Sequence, residues 1–369
     1  MTTVNNDMQT TKIMAKDIHK VPFDEGTKAK LSIFQDYLKA WLPVFLAKEE
    51  VYWNTINVFD FFAGPGSDSR GAMGTPLIII EELRPYLDKI KQKKLSVNLY
   101  FNEYSKPKQE ELKAKLLPYG KELKTYSIEI ENLDFKESFD KQFPKMGKSN
   151  CANLLFLDQS GIKHISEEVF NKITNLKRTD FLFFISSSTI KRFAEHPKII
   201  QYIKINPEEV ENTPYHEIHR LVLNYYKSLI SNNKEYYLAP FSLRKDAGAV
   251  YGLIFGSGHV LGIEKFLITC WKVDPERGEA NFDIDEDKIC PGQLDLFTGE
   301  VRKPKKIDLF EKELKERILS QELKNDKDIY LFTLTNGFIP AHARKVTSKL
   351  IADKKIAKCH LSLSHKICK

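Results

Sequence analysis

The fold of this chain is decided by the stretch Val58-Phe59-Asp60-Phe61-Phe62-Ala63-Gly64-Pro65-Gly66. Its apolar and aromatic residues predict a short buried β-strand, and the glycines behind them predict a tight turn into a helix. Glycine has no Cβ, so its backbone can approach a ligand that a side chain would repel. The stretch therefore predicts a strand that ends at a binding site, where Asp60 accepts hydrogen bonds from a ligand amine. The same residues could also form only a tight connection between strand and helix.

Helical and strand patterns alternate around this stretch. An amphipathic helix is predicted before it, because apolar residues recur at spacings of three and four over 27–47. Further buried strands are predicted at 96–104, 126–130, 153–158, 180–186 and 248–255. Strands that are apolar without alternation are buried on both faces, which is typical of a parallel sheet between two layers of helices. We therefore expect an α/β fold with a doubly wound, mostly parallel sheet that binds its ligand at the carboxyl ends of the strands.

Three regions are predicted along the chain. Residues 1–27 are expected to form a flexible leader, and residues 28–300 are expected to form the α/β domain. A polar, proline-punctuated segment at about 195–235 is interpreted as a helical insertion over the sheet. Residues 307–369 are expected to form a winged helix-turn-helix.

The winged helix-turn-helix prediction comes from the order of elements near the C-terminus. Helical patterns cover 307–319, 327–335 and 340–353, and a tight turn at 336–339 joins the last two. A short apolar and polar tail over 355–367 is predicted to form a β-wing. Helix, helix, tight turn, helix and wing is the order of a winged helix-turn-helix.

The composition is that of an ordinary globular protein. Of the 369 residues, 42% are hydrophobic and 29% are charged, which excludes a disordered chain, a collagen and a disulfide-dense mini-protein. No apolar run approaches the ~18–20 residues of a membrane span, and the N-terminus lacks the apolar core of a signal peptide. The five cysteines form no CxxC pair, which favours free thiols and no metal site over a zinc site at Cys359, His360, His365 and Cys368. We therefore expect a cytoplasmic protein without a membrane partner.

Positive charge is concentrated at the C-terminal end. The chain carries a net charge of +7, and residues 301–369 contain 17 basic and 8 acidic residues. A basic region favours an anionic partner, with nucleic acid as the first candidate. We expect Arg344, Lys345 and Lys349 on the last helix to contact phosphates, which positions a nucleic acid without specifying its sequence. The alternative is a lysine-rich face that only contacts solvent.

Acidic residues follow the second and third predicted strands. Glu103 lies at the end of the strand predicted at 96–104, where a carboxylate can accept both hydroxyls of a ribose. Asp134 follows the third strand, where such folds often hold an adenine. The alternatives are a surface glutamate at a strand end and an aspartate that caps a helix.

A polar cluster follows the fourth predicted strand. It contains Asp158, Gln159, Ser160 and His164. In a doubly wound fold this edge holds the reaction centre, so these four residues are the predicted catalytic set. His164 could act as an acid or base near neutral pH. A solvated loop is the alternative.

Several motifs resemble known families. The pattern Asp-x-x-x-Gly-x-Gly at 60–66 resembles the first motif of S-adenosylmethionine-dependent methyltransferases. The same stretch and five further segments look like the three-Cys-motif partner family, TcmP, and the resemblance covers roughly residues 28–356. These segments are Tyr37-Leu38-Lys39-Ala40-Trp41-Leu42-Pro43, Gly71-Ala72-Met73-Gly74-Thr75-Pro76-Leu77, Trp271-Lys272-Val273-Asp274-Pro275, Gly278-Glu279-Ala280-Asn281-Phe282-Asp283-Ile284 and Gly337-Phe338-Ile339-Pro340-Ala341-His342-Ala343.

The resemblance implies a class I methyltransferase-like domain, a C-terminal winged helix and S-adenosyl-L-methionine as cofactor. It also implies a partner protein with a three-cysteine motif, itself similar to radical S-adenosylmethionine proteins. The expected setting is a bacterial mobile or antiviral defence neighbourhood. Under this resemblance Glu103 would hold the ribose of the cofactor and Asp134 its adenine side. The methionine end would be held by Asp60, Ala63, Gly64 and Gly66.

Three functions are consistent with these features. The first is a methyltransferase that acts on nucleic acid. The second is a catalytically weak or inactive adaptor that binds S-adenosylmethionine and docks a partner through its winged helix. The adaptor is favoured by the fourth strand, because Gln159 and Ser160 stand where the family has proline and an aromatic residue. The third is a nuclease-like or other phosphodiesterase effector, which would need the acidic residues at 283–287 to bind a metal ion.

Overall fold

The structure is a computed structural model that describes residues 20–47, 53–159, 163–196, 202–245, 248–284, 305–357 and 362–368. Residues 1–19 of the predicted leader lie outside these ranges. The last residues of that predicted leader belong to the first helix, which begins at Glu25. Asp24 caps this helix, because its carboxylate accepts the backbone N–H of Thr27 at 2.7 Å.

Over the described residues, seven strands form one sheet in the order β3-β2-β1-β4-β5-β7-β6. Strand β7 is antiparallel to both of its neighbours, and every other pairing is parallel. This arrangement confirms the predicted α/β fold with a mostly parallel sheet. The strands are β1 (Thr55–Asp60), β2 (Ser96–Asn102), β3 (Ser127–Glu131), β4 (Cys151–Leu157), β5 (Thr179–Ile185), β6 (Tyr237–Arg244) and β7 (Val250–Ser257).

Helices cover both faces of the sheet. In the described part of the chain, none of them is long and apolar enough to cross a membrane. The helices are α1 (Glu25–Leu46), α2 (Thr75–Leu83), α3 (Leu87–Gln92), α4 (Lys106–Leu116), α5 (Gly120–Leu123), α6 (Phe135–Met146), α7 (Glu167–Thr174), α8 (Ser187–Arg192), α9 (Pro207–Asn212), α10 (Ile218–Ser228), α11 (Val260–Val273), α12 (Lys306–Leu319), α13 (Asp326–Thr335) and α14 (Pro340–Ala352).

Successive residues of the central strands enter two different hydrophobic cores. Val58 and Leu154 pack into a core with α1, α2 and α11, whereas Phe59 and Leu155 pack into a core with α6, α7 and α10. Side chains alternate between the faces of a strand, so a strand that lies between two cores carries apolar residues on both faces. The two cores therefore explain why the sequences of these strands are mostly apolar.

A row of polar side chains crosses the centre of this apolar sheet. Asn98 Nδ2 donates to Asn57 Oδ1 at 2.8 Å, and Asn57 Nδ2 donates to Asn153 Oδ1 at 2.8 Å. Asn153 Nδ2 in turn donates to Thr179 Oγ1 at 2.9 Å. These four residues lie opposite one another on β2, β1, β4 and β5. These hydrogen bonds between the strands form only in this register, so this asparagine row, made of Asn98, Asn57, Asn153 and Thr179, helps to align the four strands. Asn153 Nδ2 also donates to the Met146 carbonyl at 2.9 Å.

Strand β6 was not predicted from the sequence. It lies at the edge of the sheet, with Pro240 opposite Ile254 of β7. Proline lacks a backbone N–H and is tolerated mainly on edge strands. Among the described strands, β6 pairs with β7 only, which makes Pro240 acceptable there. Helices α9 and α10 lie between β5 and β6, within the segment predicted to be a helical insertion.

Helices α12, α13 and α14 form the C-terminal unit. The Phe310 and Phe338 rings stack at its centre, with centroids 3.9 Å apart. The predicted β-wing is wrong for the described residues of the tail, which contain no strand; residues 358–361 lie outside the description. Instead, Leu363 is buried, and its carbonyl accepts a hydrogen bond from Arg344 Nη2 at 2.8 Å. Ile356, Ile367 and Cys368 pack against the same hydrophobic core as Leu363.

Candidate functional site

The loop between β1 and α2 has the backbone that its glycines predicted. Gly64 and Gly66 have φ angles of +61° and +87°, a left-handed conformation that favours glycine. The N–H of Gly74 donates to the carbonyl of Gly66 at 2.7 Å, and a Cβ on Gly74 would lie 3.1 Å from that oxygen. The loop is therefore folded back on itself at the carboxyl end of β1.

Asp60 lies beneath this loop and is fully buried. Its Oδ1 accepts the N–H of Phe62 at 3.0 Å, whereas its Oδ2 has no hydrogen-bond partner among the described residues. Burial raises the pKa of Asp60 to about 7; the Phe62 N–H, the Thr75 side chain and the charge of Lys30 oppose the rise, and the charge of Asp158 adds to it. A buried carboxylate oxygen without a partner is a position that a ligand ammonium can satisfy.

Glu103 follows β2 and holds the glycine loop. Its Oε2 accepts the N–H of Gly64 at 3.0 Å, and its Oε1 accepts the N–H of Ser105 at 2.7 Å. A carboxylate offers about four acceptor positions, so two remain for ligand hydroxyls. Ala63 is fixed beside it, because its N–H donates to the Asn102 carbonyl at 2.9 Å.

Asp134 takes the helix-capping role that was the alternative in the sequence. It is exposed and accepts the N–H of Lys136 at 2.9 Å at the start of α6. Its predicted contact with adenine remains a prediction. The loops after β2 and β3 are instead joined by two asparagines that the sequence did not single out. Asn102 exchanges hydrogen bonds with the backbone of Leu133, and Asn132 Nδ2 donates to the Glu103 carbonyl at 2.7 Å.

Asp158 follows β4 and forms an ion pair with Lys30 of α1. The lysine is 8% exposed, and its Nζ lies 5.0 Å from the centroid of the Phe184 ring. Sequence reasoning missed Lys30. Its position four residues before Phe34 places it on the apolar stripe of α1, and a lysine on a buried stripe was the available signal.

Gln159 and His164 lie together after Asp158. Gln159 is 4% exposed; its Oε1 accepts the N–H of His164 at 2.9 Å, and its Nε2 has no partner within the described ranges. The His164 ring packs on Phe62 and Phe135 at centroid distances of 5.3 and 5.1 Å. Burial, assisted by Lys163, lowers the pKa of His164 to about 4, so the ring is neutral at pH 7 and does not titrate there as the sequence suggested.

Some predicted site residues lie outside the described residues. Ser160 of the catalytic set is one of them. The acidic residues weighed for a nuclease metal site also fall there, apart from Asp283. Of the residues considered for zinc, Cys359 and His360 lie outside as well.

Lys30, Asp158 and part of the glycine loop line a narrow cleft at the carboxyl edge of the sheet, whereas Asp60, Glu103, Gln159 and His164 are not among its described lining residues. Its volume is about 30 Å³, enough for about one or two water molecules. Pockets for nucleosides and similar ligands are typically about 300–1,000 Å³. The first turns of α1 and the residues before them close the cleft on one side, and the glycine loop and Asp158 bound it on the other. Its lining includes Phe23, Thr27, Lys30, Leu31, Ala63, Gly66, Thr75 and Asp158.

Helix α14 carries the three residues predicted to contact phosphates. The Arg344 guanidinium donates to the tail, as described above. Lys345 Nζ pairs with Glu311 Oε1 at 2.7 Å, although its side chain is 70% exposed. Lys349 is also exposed on this helix. All three residues lie on this 13-residue helix. Two of them, Arg344 and Lys345, also contact other parts of the chain.

A family model described as a GMT-like wHTH domain matches residues 281–359. This match confirms a winged helix-turn-helix domain at the C-terminal end of the chain. A search of curated proteins finds no match.

Solved structures similar to this chain include three methyltransferases. The DszA carbon methyltransferase is 12% identical with a TM-score of 0.35, over 62% of this chain and 53% of that one. This chain therefore spans about half the length of DszA. The O-methyltransferase TomG from Streptomyces achromogenes, in complex with SAM, is 10% identical with a TM-score of 0.32, over 63% of this chain and 90% of that one. The geranyl diphosphate C-methyltransferase from Streptomyces coelicolor A3(2) is 10% identical with a TM-score of 0.26, over 59% of this chain and 73% of that one.

Proposed function

We propose that this chain binds S-adenosylmethionine at the carboxyl edge of its sheet and transfers the methyl group to nucleic acid. The proposal includes a cytoplasmic location for this chain, and it includes a three-Cys-motif partner protein, as the resemblance to the TcmP family implies. The observation that carries it is Asp60, whose Oδ2 is buried without a hydrogen-bond partner among the described residues, beneath a glycine loop.

The donors and acceptors of the edge suit this cofactor. The Asp60 carboxylate would take the ammonium of the methionine end, and the backbone at Ala63, Gly64 and Gly66 would lie against that end without obstruction from side chains. The two acceptor positions left on Glu103 would take the ribose hydroxyls. When bound, the cofactor supplies a methyl group on a positively charged sulfur. The chemistry of the residues fits, but the cleft must widen before a ligand of this size can enter.

The residues after β4 would position the methyl acceptor. The carboxylate of Asp158 would accept a hydrogen bond from a target amine, and the Gln159 Nε2, buried without a partner in the described residues, would donate one. Their contribution is orientation, because methyl transfer depends on holding the acceptor in line with the transferred group. The neutral His164 ring, packed between two phenylalanines, would shape the wall of this region rather than move a proton. A base within a duplex would have to be flipped out to reach these residues.

The winged helix-turn-helix would hold the nucleic acid. Helix α14 presents Lys349 and Lys345 on its exposed side, and contacts of this kind to phosphates position a nucleic acid along the protein. The excess of 17 basic over 8 acidic residues in 301–369 supports an anionic partner for this part of the chain.

Calorimetric titration with S-adenosylmethionine tests the proposal. We expect micromolar binding by the wild type and at least about tenfold weaker binding by Asp60→Asn, because a charge-assisted hydrogen bond to the ammonium is lost. Asp36→Asn is the matched control, since Asp36 lies on α1 in an ion pair with Lys272 at 2.6 Å, and it should bind like the wild type. A folded wild type that shows no binding at millimolar cofactor would refute the proposal.

A second candidate is an adaptor that binds the cofactor without transferring its methyl group. Two of the predicted catalytic side chains favour this candidate, because Asp158 forms an ion pair with Lys30 and the His164 ring is neutral at pH 7. Incubation with labelled cofactor and either total RNA or total DNA separates the two candidates. Cofactor binding without label in either nucleic acid, with the three-Cys-motif protein present, would favour the adaptor.

A further inference from the structure

The Lys30–Asp158 ion pair joins two elements that line the cleft. Lys30 comes from the first turns of α1, and Asp158 comes from the loop after β4, so the pair joins two elements that are 128 residues apart. The lysine side chain is 10% exposed and the aspartate side chain 27% exposed. Desolvating a lysine is costly, so it is paired here with a carboxylate that bounds the cleft.

Lys30 also acts on a second carboxylate. Its charge lowers the pKa of the buried Asp60, whereas the charge of Asp158 raises it. Of the described residues that line the cleft, Lys30 is the one with a positively charged side chain. An amino-acid ligand carries both an ammonium and a carboxylate. The cleft offers one cation, and the buried Asp60, whose Oδ2 has no hydrogen-bond partner among the described residues, lies beneath the glycine loop that lines the cleft.

We propose that Lys30 binds the carboxylate at the amino-acid end of the cofactor, and that it leaves Asp158 to do so. This inference rests on the proposed function. In the closed cleft the lysine pairs with Asp158, and in the loaded cleft it pairs with the ligand carboxylate while Asp60 pairs with the ligand ammonium. The exchange conserves the number of ion pairs of Lys30, so its ammonium stays paired in both states.

The exchange has a consequence for the order of binding. Because Asp158 is paired until the ligand takes Lys30 away, its carboxylate becomes available to a methyl acceptor only after the cofactor is bound. The exchange also loosens the contact that holds the first turns of α1 across the cleft. A cavity of about 30 Å³ requires such an opening before a ligand can enter. Cofactor first and acceptor second is the binding order that follows.

Calorimetric titration with S-adenosylmethionine and with its decarboxylated form tests the assignment. The two ligands differ only in the carboxylate. Lys30→Met should weaken binding of S-adenosylmethionine at least about tenfold and leave binding of the decarboxylated form within about twofold. Asp158→Asn should act in the opposite direction and strengthen binding of S-adenosylmethionine about three- to tenfold, because Lys30 no longer has to leave a charged partner.

Two further variants protect the experiment against misfolding. Lys39→Met makes the same substitution on the same helix at a 50% exposed lysine that pairs with Glu82 at 3.5 Å, and it should bind both ligands like the wild type. Lys30→Arg keeps the charge and should restore most of the affinity for S-adenosylmethionine. Thermal melts by circular dichroism establish that each variant is folded.

The possible results separate this inference from the proposed function. If Lys30→Met weakens or strengthens both ligands equally, the lysine only closes the cleft and the assignment is overturned. If Asp158→Asn weakens binding of S-adenosylmethionine, the exchange of partners is overturned. A wild type that binds the decarboxylated form as well as S-adenosylmethionine refutes the inference alone, whereas a wild type that binds neither refutes the proposed function with it.

Discussion

At the scale of the single residue, Asp60 combines burial with an incomplete set of partners. Residues that bind ligands often have shifted pKa values, because the groups that will satisfy them are supplied by the ligand. The sequence identified Asp60 through its place at the end of a strand, before the glycines. Its full burial and its pKa of about 7 depend on the packing of α1 and α2 above it, which no local pattern encodes.

The shifted pKa of Asp60 predicts how stability depends on pH. The carboxyl group binds its proton more tightly in the folded protein than in the unfolded chain, so its contribution is fully present below the ordinary value of 3.8 and is lost as the pH rises through about 7. Asp60→Asn carries no charge at any pH. Urea unfolding should show the variant more stable than the wild type at pH 8, by on the order of 1–3 kcal/mol, and equally stable near pH 3.5. A variant less stable at pH 8 would contradict the burial of a charged Asp60.

At the scale of the element, the strands illustrate what periodicity predicts and what it misses. The central strands were predicted because continuous apolar runs are a local signal for burial on both faces. Strand β6 was missed because Pro240 argues against a strand, and only its place at the edge of the sheet makes the proline acceptable. The hydrogen-bond partners within the asparagine row also could not be predicted from the sequence, because three of its four members are separated by 41 residues or more.

The asparagine row predicts a large effect from one change. Asn57→Leu keeps the size of the side chain but leaves Asn98 Nδ2 and Asn153 Oδ1 without the partner they have now. Each buried polar atom left unsatisfied costs about 1–3 kcal/mol, so we expect a loss of about 2–4 kcal/mol in urea unfolding.

Asn150→Leu is the matched control for this change. Asn150 Nδ2 donates to Asn54 Oδ1 at 2.7 Å on the surface, where water can replace the lost bond, so the expected change is within about 0.5 kcal/mol. Equal effects of the two substitutions would show that the row does not stabilise the sheet.

At the scale of the whole molecule, the segment at 271–284 joins the sheet domain to the winged helix-turn-helix. Trp271 Nε1 donates to the Gly337 carbonyl at 2.8 Å. Gly278 packs against the same indole ring with a φ of +64°, and a Cβ at this position would lie 2.5 Å from the indole nitrogen. Glu279 is buried in this junction and contacts three basic side chains from other elements. Its Oε1 binds His219 Nε2 at 3.1 Å and Arg220 Nε at 2.5 Å, and its Oε2 accepts Lys306 Nζ at 3.4 Å.

This junction predicts a strong dependence on Glu279. Burial alone would raise the pKa of Glu279, but the bonds from His219 and Arg220 and the charge of Lys306 hold it well below its ordinary value. Glu279→Gln removes the charge that compensates Lys306, whose own pKa is lowered by burial. We expect a loss of about 3–5 kcal/mol in unfolding free energy and faster proteolysis between the two domains.

Glu276→Gln provides the comparison for Glu279. Glu276 pairs with Lys305 at 2.8 Å, and its side chain is 39% exposed, so the expected loss is below about 1 kcal/mol. If Glu279→Gln has no larger effect than this variant, the buried cluster does not hold the domains together.

The sequence by itself determined the features that depend on neighbouring residues. The strand that ends at Asp60, the left-handed glycines behind it, the doubly wound sheet and the three C-terminal helices all follow from local periodicity and from the conformational range of glycine. The place of Glu103 at the end of the next strand followed from the same reasoning. These properties are encoded within a few residues of one another, so they can be inferred without knowing which distant segments meet.

Only the tertiary structure decided the features that depend on distant residues. It brought Lys30 to Asp158 across the cleft, aligned the asparagine row, placed Glu279 among basic side chains from separate elements and buried the His164 ring so that it stays neutral. The tail packs as a 3₁₀ turn at His365–Cys368 beside a buried Leu363, where a wing was predicted. Burial and pairing arise from contacts between segments far apart in the chain, and the free energy of a charge or an amide is set by those contacts.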